Sequence, residues 1–429
     1  MTTNSPATLV VADAPPEPVA PARVPYGTCI VVGLGGLFAG VTGPLLSAFV
    51  PLLVQAAIGE RRTAIGAVMT IDNVLLLLLV PWAGAASDRA RASGRGRLVI
   101  VLAGFMLASA GMAIFASPVV AGTAGLIAAM VLLYTGINIQ RAPFQALVAD
   151  LVPSRHRSFA TGSVTFQMCV GAIVFLMLGQ MLGMRPAFLI AAGTVLAIAA
   201  VFAVSLREPA TPHTHAAEAT FRSLVDAAWT AVRGDVAGMR AIFLASLLLQ
   251  LTFQTFTTWF SLHGAERFGL RPEDVTIGMI AWAVGGVLGA LPAGFIGSRI
   301  GRRNAMLLGF ALMAVCLFAL NSVTTIAQAT PLLALASASW TLPTVNAYPL
   351  FVEPVPRERR GILAALFLLC MALGGAIGDP LNGGIFDLVG SYRPLFLLMA
   401  AYTALAFVAV LFIPRGTGEA DTGPESPTA

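Results

Sequence analysis

Twelve stretches of about 20 mostly apolar residues follow one another along this chain, and nothing else in the sequence constrains the fold as much. Coiled as a helix, a run of that length matches the hydrocarbon thickness of a bilayer. In lipid, only helices and closed barrels satisfy their own backbone hydrogen bonds. The runs lie at roughly 27–55, 64–86, 98–116, 122–149, 159–182, 187–205, 238–263, 275–297, 304–321, 327–352, 361–388 and 393–413, at the length a helical crossing requires. Of 429 residues, 57% are hydrophobic and 10% charged, whereas a soluble domain carries about 25% charged residues. Too few ions remain to cover a globular surface, which excludes a soluble enzyme, a nucleic-acid module, a coiled coil and a disordered scaffold. The expected class is an all-α membrane protein with twelve transmembrane helices.

Residues 1–24 and 414–429 are polar, rich in Pro, Ala and Gly, and read as disordered tails. No secretory leader is expected ahead of the first run. All 25 basic residues are arginine, and their distribution sets orientation, because cytoplasmic loops collect positive charge. With both termini cytoplasmic, eighteen arginines fall on the inner side, among them Arg89, Arg91, Arg95, Arg97, Arg155, Arg157, Arg299, Arg302, Arg303, Arg357, Arg359 and Arg360. Six fall outside: Arg61, Arg62, Arg185, Arg267, Arg271 and Arg393. Arg141 is left within a run. The longest connection, 206–237, divides the chain into bundles at 25–205 and 238–413. It holds Phe221, Leu224, Val225, Ala228, Trp229 and Val232 at helical spacing, which reads as an amphipathic helix on the inner membrane surface or against the loops below the bundles.

The halves repeat each other. Gly84-Ala-Ala-Ser-Asp88-Arg89 and Gly94-Arg95-Gly-Arg97 follow the second run, and Gly294-Phe-Ile-Gly-Ser298-Arg299-Ile-Gly301-Arg302-Arg303 follows the eighth. Asp150, Pro153 and Arg157 recur as Glu353, Pro356 and Arg360, each 203 positions on. Parallel six-helix repeats imply a pseudo-twofold axis along the membrane normal and a cavity between bundles that can open to either side.

These loops and the six-plus-six layout resemble the major facilitator superfamily. Within it, the chain is similar to the sucrose-transporter and glycoside–pentoside–hexuronide:cation symporter branch. The closer likeness rests on Met69-Thr-Ile-Asp72-Asn73, on Pro81-Trp-Ala-Gly84-Ala-Ala-Ser87-Asp88-Arg89, on Arg141-Ala-Pro143-Phe-Gln-Ala-Leu147-Val-Ala-Asp150-Leu-Val-Pro153, and on Asn346-Ala-Tyr348-Pro349. Leu45-Leu46 stand where such carriers often have Tyr-Asn, the loop Gly94-Arg95-Gly96-Arg97 is thin in arginine, and Ser298 replaces an acid. The resemblance implies a carrier working by alternating access, with a sugar or glycoside moved together with protons. The first two departures favour a rival, a proton-driven exporter of amphipathic compounds. A non-transporting membrane assembly protein of the same fold is a further alternative.

A charge within hydrocarbon is costly, so each one marks a candidate site. At 1.5 Å per residue, Asp72 lies roughly 12 Å from one face and Arg141 roughly 13 Å from the other. They read as an ion pair, either facing the cavity and responsive to protons or substrate, or permanently tying two helices. Asp72 and Asp150 are the expected proton-coupling acids, although Asp150 equally suits pairing with Arg157 or the basic loop after the second run. Gly84, Asp88, Arg89 and Arg95, with Gly294, Arg299, Gly301 and Arg302 in the second half, read as gate latches. Gln140, Arg141, Gln250, Gln254, Trp259, Trp340 and Asn346 supply hydrogen-bonding groups and aromatic faces suited to a sugar. The competing reading is that polar side chains glue helices together. Asp379-Pro380 interrupts the eleventh run and reads as a cavity charge, a loop residue or a kink.

No dinucleotide or nucleotide-phosphate loop is present, since Gly33-Leu-Gly35-Gly36 lacks the spacing and the chain has no lysine. Cys29, Cys169, Cys316 and Cys370 stand apart, and His213 and His215 lack further ligands. No cofactor, metal, nucleic-acid partner or enzymatic activity is expected. The partners are a small solute, protons and the lipid of an inner or plasma membrane, and the working unit is a monomer.

Overall fold

The computed structural model describes residues 26–94, 96–153, 156–208, 238–352 and 360–414. Among them the chain is helical, with no strand. The helices are α1 (Tyr26–Ile58), α2 (Arg62–Ala92), α3 (Leu98–Phe115), α4 (Thr123–Leu151), α5 (Arg157–Leu182) and α6 (Met184–Ser205). They continue as α7 (Met239–Phe268), α8 (Val275–Ile300), α9 (Arg302–Leu320), α10 (Ile326–Val352), α11 (Arg360–Val389) and α12 (Leu395–Leu411). Eight are long and apolar enough to cross a membrane, or nine when α8, bent by 45° at Pro292, counts as one span. The remaining rods are consistent with the expected twelve crossings. Both tails, the expected amphipathic helix within 206–237, Arg95, Arg155 and the Glu353–Arg359 loop fall outside the described residues, as does the side chain of Arg360.

Apolar side chains lie on the outer surface as well as inside: Leu388 is 89% exposed, Val204 81% and Met181 75%. In water such a surface would drive aggregation, whereas in lipid it is the solvated face. With greasy residues on both faces, burial of apolar area no longer selects which helices touch, and close backbone approach does. A Cβ on Gly36 would meet the Val164 carbonyl at 1.9 Å, and one on Gly40 the Met168 carbonyl at 2.1 Å, so α1 lies backbone to backbone on α5. Gly285 and Gly289 do the same for α8 on α10, at 2.0 Å from the Ala334 carbonyl and 2.5 Å from that of Ala338.

The contacts reproduce the sequence repeat. In the first half α1 packs on α5, α2 and α3 on α4, and α3 on α6; in the second, α7 packs on α11, α8 and α9 on α10, and α9 on α12. Between halves, α2 meets α11, α5 meets α8, and α1 meets α7. The first two contacts exchange under a twofold operation. They form the seam along which one half can move against the other.

The connections α1–α2, α3–α4, α7–α8 and α11–α12 lie at what we call the far end. The connections α2–α3, α4–α5 and α8–α9 lie at the terminal end, where residue 26 enters and residue 414 leaves. Pro380 does not interrupt α11, which runs through it from Arg360 to Val389. Neighbouring helices can absorb the carbonyl that a proline leaves without a donor.

Candidate functional site

The polar centre of the protein lies in the α2–α11 seam. Asn138 of α4 donates from Nδ2 to Asp72 Oδ1 at 2.9 Å and to its own helix at the Tyr134 carbonyl, also at 2.9 Å. Asp379 of α11 is fully buried. Gln254 of α7 donates from Nε2 to Asp379 Oδ2 and to Thr258 Oγ1, each at 3.1 Å. The two acids lie in different halves and interact through their charges, as does the Tyr134 phenol with both. Arg141 acts on Asp72 through its charge, but the two form no ion pair within 4.0 Å among the described residues. Asp72 is bound by a neutral amide instead, and Arg141 is exposed.

Close backbone approach holds this seam. A Cβ on Gly66 would lie 2.3 Å from the Asp379 carbonyl, and one on Gly375 would lie 2.2 Å from Asn73 Oδ1. Toward the far end, a Cβ on Gly383 would lie 2.5 Å from the Arg62 carbonyl. The seam is then latched. Asp387 of α11 accepts the backbone N–H groups of Arg62 at 2.9 Å and Thr63 at 2.8 Å, together with the Thr63 hydroxyl. It thereby caps the start of α2 from the opposite half, satisfying donors that a helix N-terminus leaves open. The Arg62 guanidinium donates to the Gly390 carbonyl at 3.0 Å and lies 4.7 Å from the centre of the Tyr392 ring. Gln55 reaches the Tyr392 hydroxyl at 3.4 Å. These contacts hold the halves together at the far end.

At the terminal end, a charged cluster forms within the first half. Asp150 pairs with Arg91 and, at 3.0 Å, with Arg97 Nε. Arg97 also pairs with Asp88 and donates to Ser87 Oγ at 3.0 Å. Asp150 is thus the hub of an ion network rather than an isolated carboxyl, and its arginines are Arg91 and Arg97. Arg157, expected as a partner, instead donates to the carbonyls of Ala149 and Val152 and so closes the C-terminus of α4. Arg89 is exposed. A methyl on Gly84 would sit 3.6 Å from Ala142 Cβ, an ordinary contact, so the approach of α2 to α4 does not depend on that glycine.

In the second half, Arg299 and Arg303 of the corresponding motif are engaged by a ring and by backbone carbonyls. Nothing lies within 4 Å of a Cβ on Gly294. Arg299 covers the Phe295 ring at 4.4 Å, and Gly301 turns the chain into α9 with a φ of +81°. Arg302 is partly buried at the start of α9. The neighbouring Arg303 donates to the carbonyls of Ile413 at 2.8 Å and Leu411 at 3.0 Å, tying α9 to the end of α12.

The residues selected as sugar contacts separate into two groups. Gln250 and Trp340 line a small pocket of about 120 Å³ between α7, α10 and α11, with Ser246, Leu249, Phe253, Thr344 and Cys370. Trp340 stacks on Phe253 with centroids 5.0 Å apart. Gln254 lies one turn along α7, at the seam. Gln140, Trp259 and Asn346 lie inside their own halves. Gln140 packs on Gly104 of α3, Trp259 is fully buried against Phe386 and Tyr392, and Asn346 fills the space over Gly297 while donating to the carbonyls of Leu342 and Ala293. Sequence reasoning missed the weight of Asp379 and the Asp387 cap. An acid within an apolar run was the available signal for the first, and a lone acid near the end of the same run for the second.

The profile of the family described as "Major Facilitator Superfamily" matches residues 32–320 and 265–428. The magnetosome protein MamZ of Paramagnetospirillum magneticum (strain ATCC 700264 / AMB-1) is 25% identical over 400 residues, which cover 86% of this chain and 60% of that protein. The chain therefore spans about three fifths of that curated relative's length. Among solved structures, the nucleoside transporter NupG shares 14% identity at a TM-score of 0.70, covering 91% of this chain and 99% of its own. A bacterial homologue of the human lysosomal transporter Spinster, in an inward-facing and occupied conformation, gives 13% and 0.68 over 90% and 95%. The E. coli fucose:proton symporter gives 16% and 0.60 over 90% and 98%. None of these matches singles out the sucrose or glycoside branch. With the duplicated bundles, the glycine-packed seam and the charged loop motif on the page, the chain belongs to the Major Facilitator Superfamily.

Proposed function

We propose that this protein is a secondary active transporter that carries a small solute together with protons by alternating access. One observation carries the reading: the α2–α11 seam between pseudo-symmetric halves holds an acid from each half, Asp72 bound by Asn138 and the fully buried Asp379 bound by Gln254. A rigid scaffold gains nothing from acids placed at its moving surface, where burial makes each one costly. The arginine bias makes the far end external and both termini cytoplasmic. The latch at Arg62, Asp387 and Tyr392 then closes the outer side, as in a carrier facing inward.

The solute class is read from Gln250 and the Phe253–Trp340 stack, which offer an amide for hydrogen bonds beside an aromatic face. That combination suits the ring and hydroxyls of a sugar or glycoside. The same pocket is walled mainly by Leu249, Phe253, Trp340 and Cys370, which favours as second reading a proton-driven exporter of amphipathic compounds. Purified full-length protein in liposomes, under an imposed pH gradient and offered labelled mono- and disaccharides, separates the two. Sugar-dependent proton movement establishes the symporter. Silence across the sugars with proton-driven extrusion of a lipophilic dye establishes the exporter. Silence in both assays removes the transport reading and leaves the non-transporting membrane assembly role.

A further inference from the structure

Asp379 is the residue that the expected charge pair leaves out. Its carboxyl is fully buried, with one oxygen held by Gln254. The other, Oδ1, has no hydrogen-bond partner among the described residues, and neither have two further buried atoms of the seam, Asn73 Nδ2 and Asn138 Oδ1. Asp72 has the charge of Arg141 acting on it, while among the described residues no cationic side chain lies within 4.0 Å of Asp379. An ionised carboxylate so placed is stable only if something supplies the missing positive charge.

From this geometry we infer that Asp379 is the proton-carrying carboxyl of the transporter, and that its charge opposite Asp72 sets the seam open or closed at the far end. The inference rests on the transporter reading above. The charges on Asp72, Asp379 and Arg141 sum to −1 when both acids are ionised, and one proton on Asp379 Oδ1 brings the seam to neutrality. The neutral seam allows α2 and α11 to touch at Gly66 and Gly375. Releasing the proton to water restores two like charges on facing helices, which drives the halves apart where Asp387 latches them. The other helices against α11 offer no competing base near Asp379. Among the titratable groups of α7, Arg240 stands at its terminal end and His263, Glu266 and Arg267 at its far end, α10 has only Tyr348, and Tyr402 of α12 bonds Asn382. A metal cation is less suited, since hard cations take six or more oxygens and Asp379 has around it one hydroxyl and an amide that presents N–H.

Infrared difference spectroscopy of the full-length protein in lipid nanodiscs tests this without needing a substrate, so its failure is distinct from failure of the transport assay. Between acidic and alkaline buffer, the wild type is expected to lose a buried carboxylic C=O band. That band is absent in Asp379→Asn and retained in Asp72→Asn, and Asp379→Glu restores it at a shifted frequency, which shows that the absence is not misfolding. A second readout is the distance between spin labels at the far end of the two halves: it lengthens with rising pH in the wild type and stays short at every pH in Asp379→Asn. A band that persists in Asp379→Asn overturns the assignment. Stabilisation by sodium over choline that is lost in Asp379→Asn, with no carboxylic band in the wild type, also overturns it and assigns the site to a metal cation.

Discussion

Replacing Asp387 by alanine tests whether the far-end contacts are a latch or merely adjacent surfaces. The substitution removes the acceptor for the Arg62 and Thr63 N–H groups, 2.9 and 2.8 Å away, and for the Thr63 hydroxyl. Loss of a helix N-cap costs about 0.5–2 kcal/mol. The cap here is half exposed, so the freed donors recover water and the net loss belongs in the middle of that range, about 1 kcal/mol. Because the acceptor belongs to one half and the donors to the other, the loss falls on the closed state and not on either half alone. It shifts the closed-to-open ratio by roughly fivefold toward open. Pulsed electron resonance between labels at Glu60→Cys and Arg393→Cys, both exposed at that end, reads the shift once the four native cysteines are replaced. A longer-distance population is expected to grow in Asp387→Ala and to recede in Asp387→Glu. Identical distance distributions in Asp387→Ala and wild type would refute the latch.

Three other outcomes follow from particular contacts. Arg97→Gln removes the arginine that Asp88 and Asp150 share, leaving Arg91 alone on Asp150, and is expected to increase labelling of the terminal end several-fold, while Arg89→Gln, on an exposed side chain, leaves it unchanged. Gly285→Leu must push α8 off the Ala334 carbonyl; overpacking of this kind costs about 1–3 kcal/mol or more, read as early loss of the monodisperse peak on heating in detergent. Trp259→Ala and Trp340→Ala should differ in kind. The first empties a fully buried site and lowers thermal stability by about 3–5 kcal/mol, whereas the second raises the half-saturation for transported solute with little effect on melting.

Much of the architecture is legible in the sequence because lipid leaves a helix few alternatives. A run of about 20 apolar residues must satisfy its backbone internally, and the boundaries of α1, α3 and α11 fall within a few residues of where hydropathy places them. The repeat is legible as well, since the loops that carry it are polar and stand out against apolar helices. What hydropathy conceals is direction. A helix that is apolar all round has no stripe to mark the side facing its neighbours, so Gln140, Asn346 and Trp259 read the same as Gln250 and Trp340 until packing separates them. The ion network illustrates the complementary gap. Its acids, Asp88 and Asp150, are evident from the loops, but choosing Arg91 and Arg97 over Arg89 and Arg157 depends on where each guanidinium points after the chain turns through Gly94 and Gly96, both at positive φ.

Asp379 shows how a sequence rule can mislead by being applied one level too low. Proline after an acid ends a helix in water, because the freed carbonyl and the carboxylate are both better solvated in a loop. In α11 the neighbouring helices enclose both groups, and the chain stays helical through Pro380. The acid is thereby carried into the seam, where Gln254 binds one of its oxygens and, among the described residues, no cation pairs with it. A residue that looks like the end of a span in one dimension becomes, in three, a negative charge poised against the other half of the protein. Its position explains why a mostly neutral chain retains an acid there: at the surface along which two bundles separate, a single proton changes the energy of contact more than any nearby apolar substitution can.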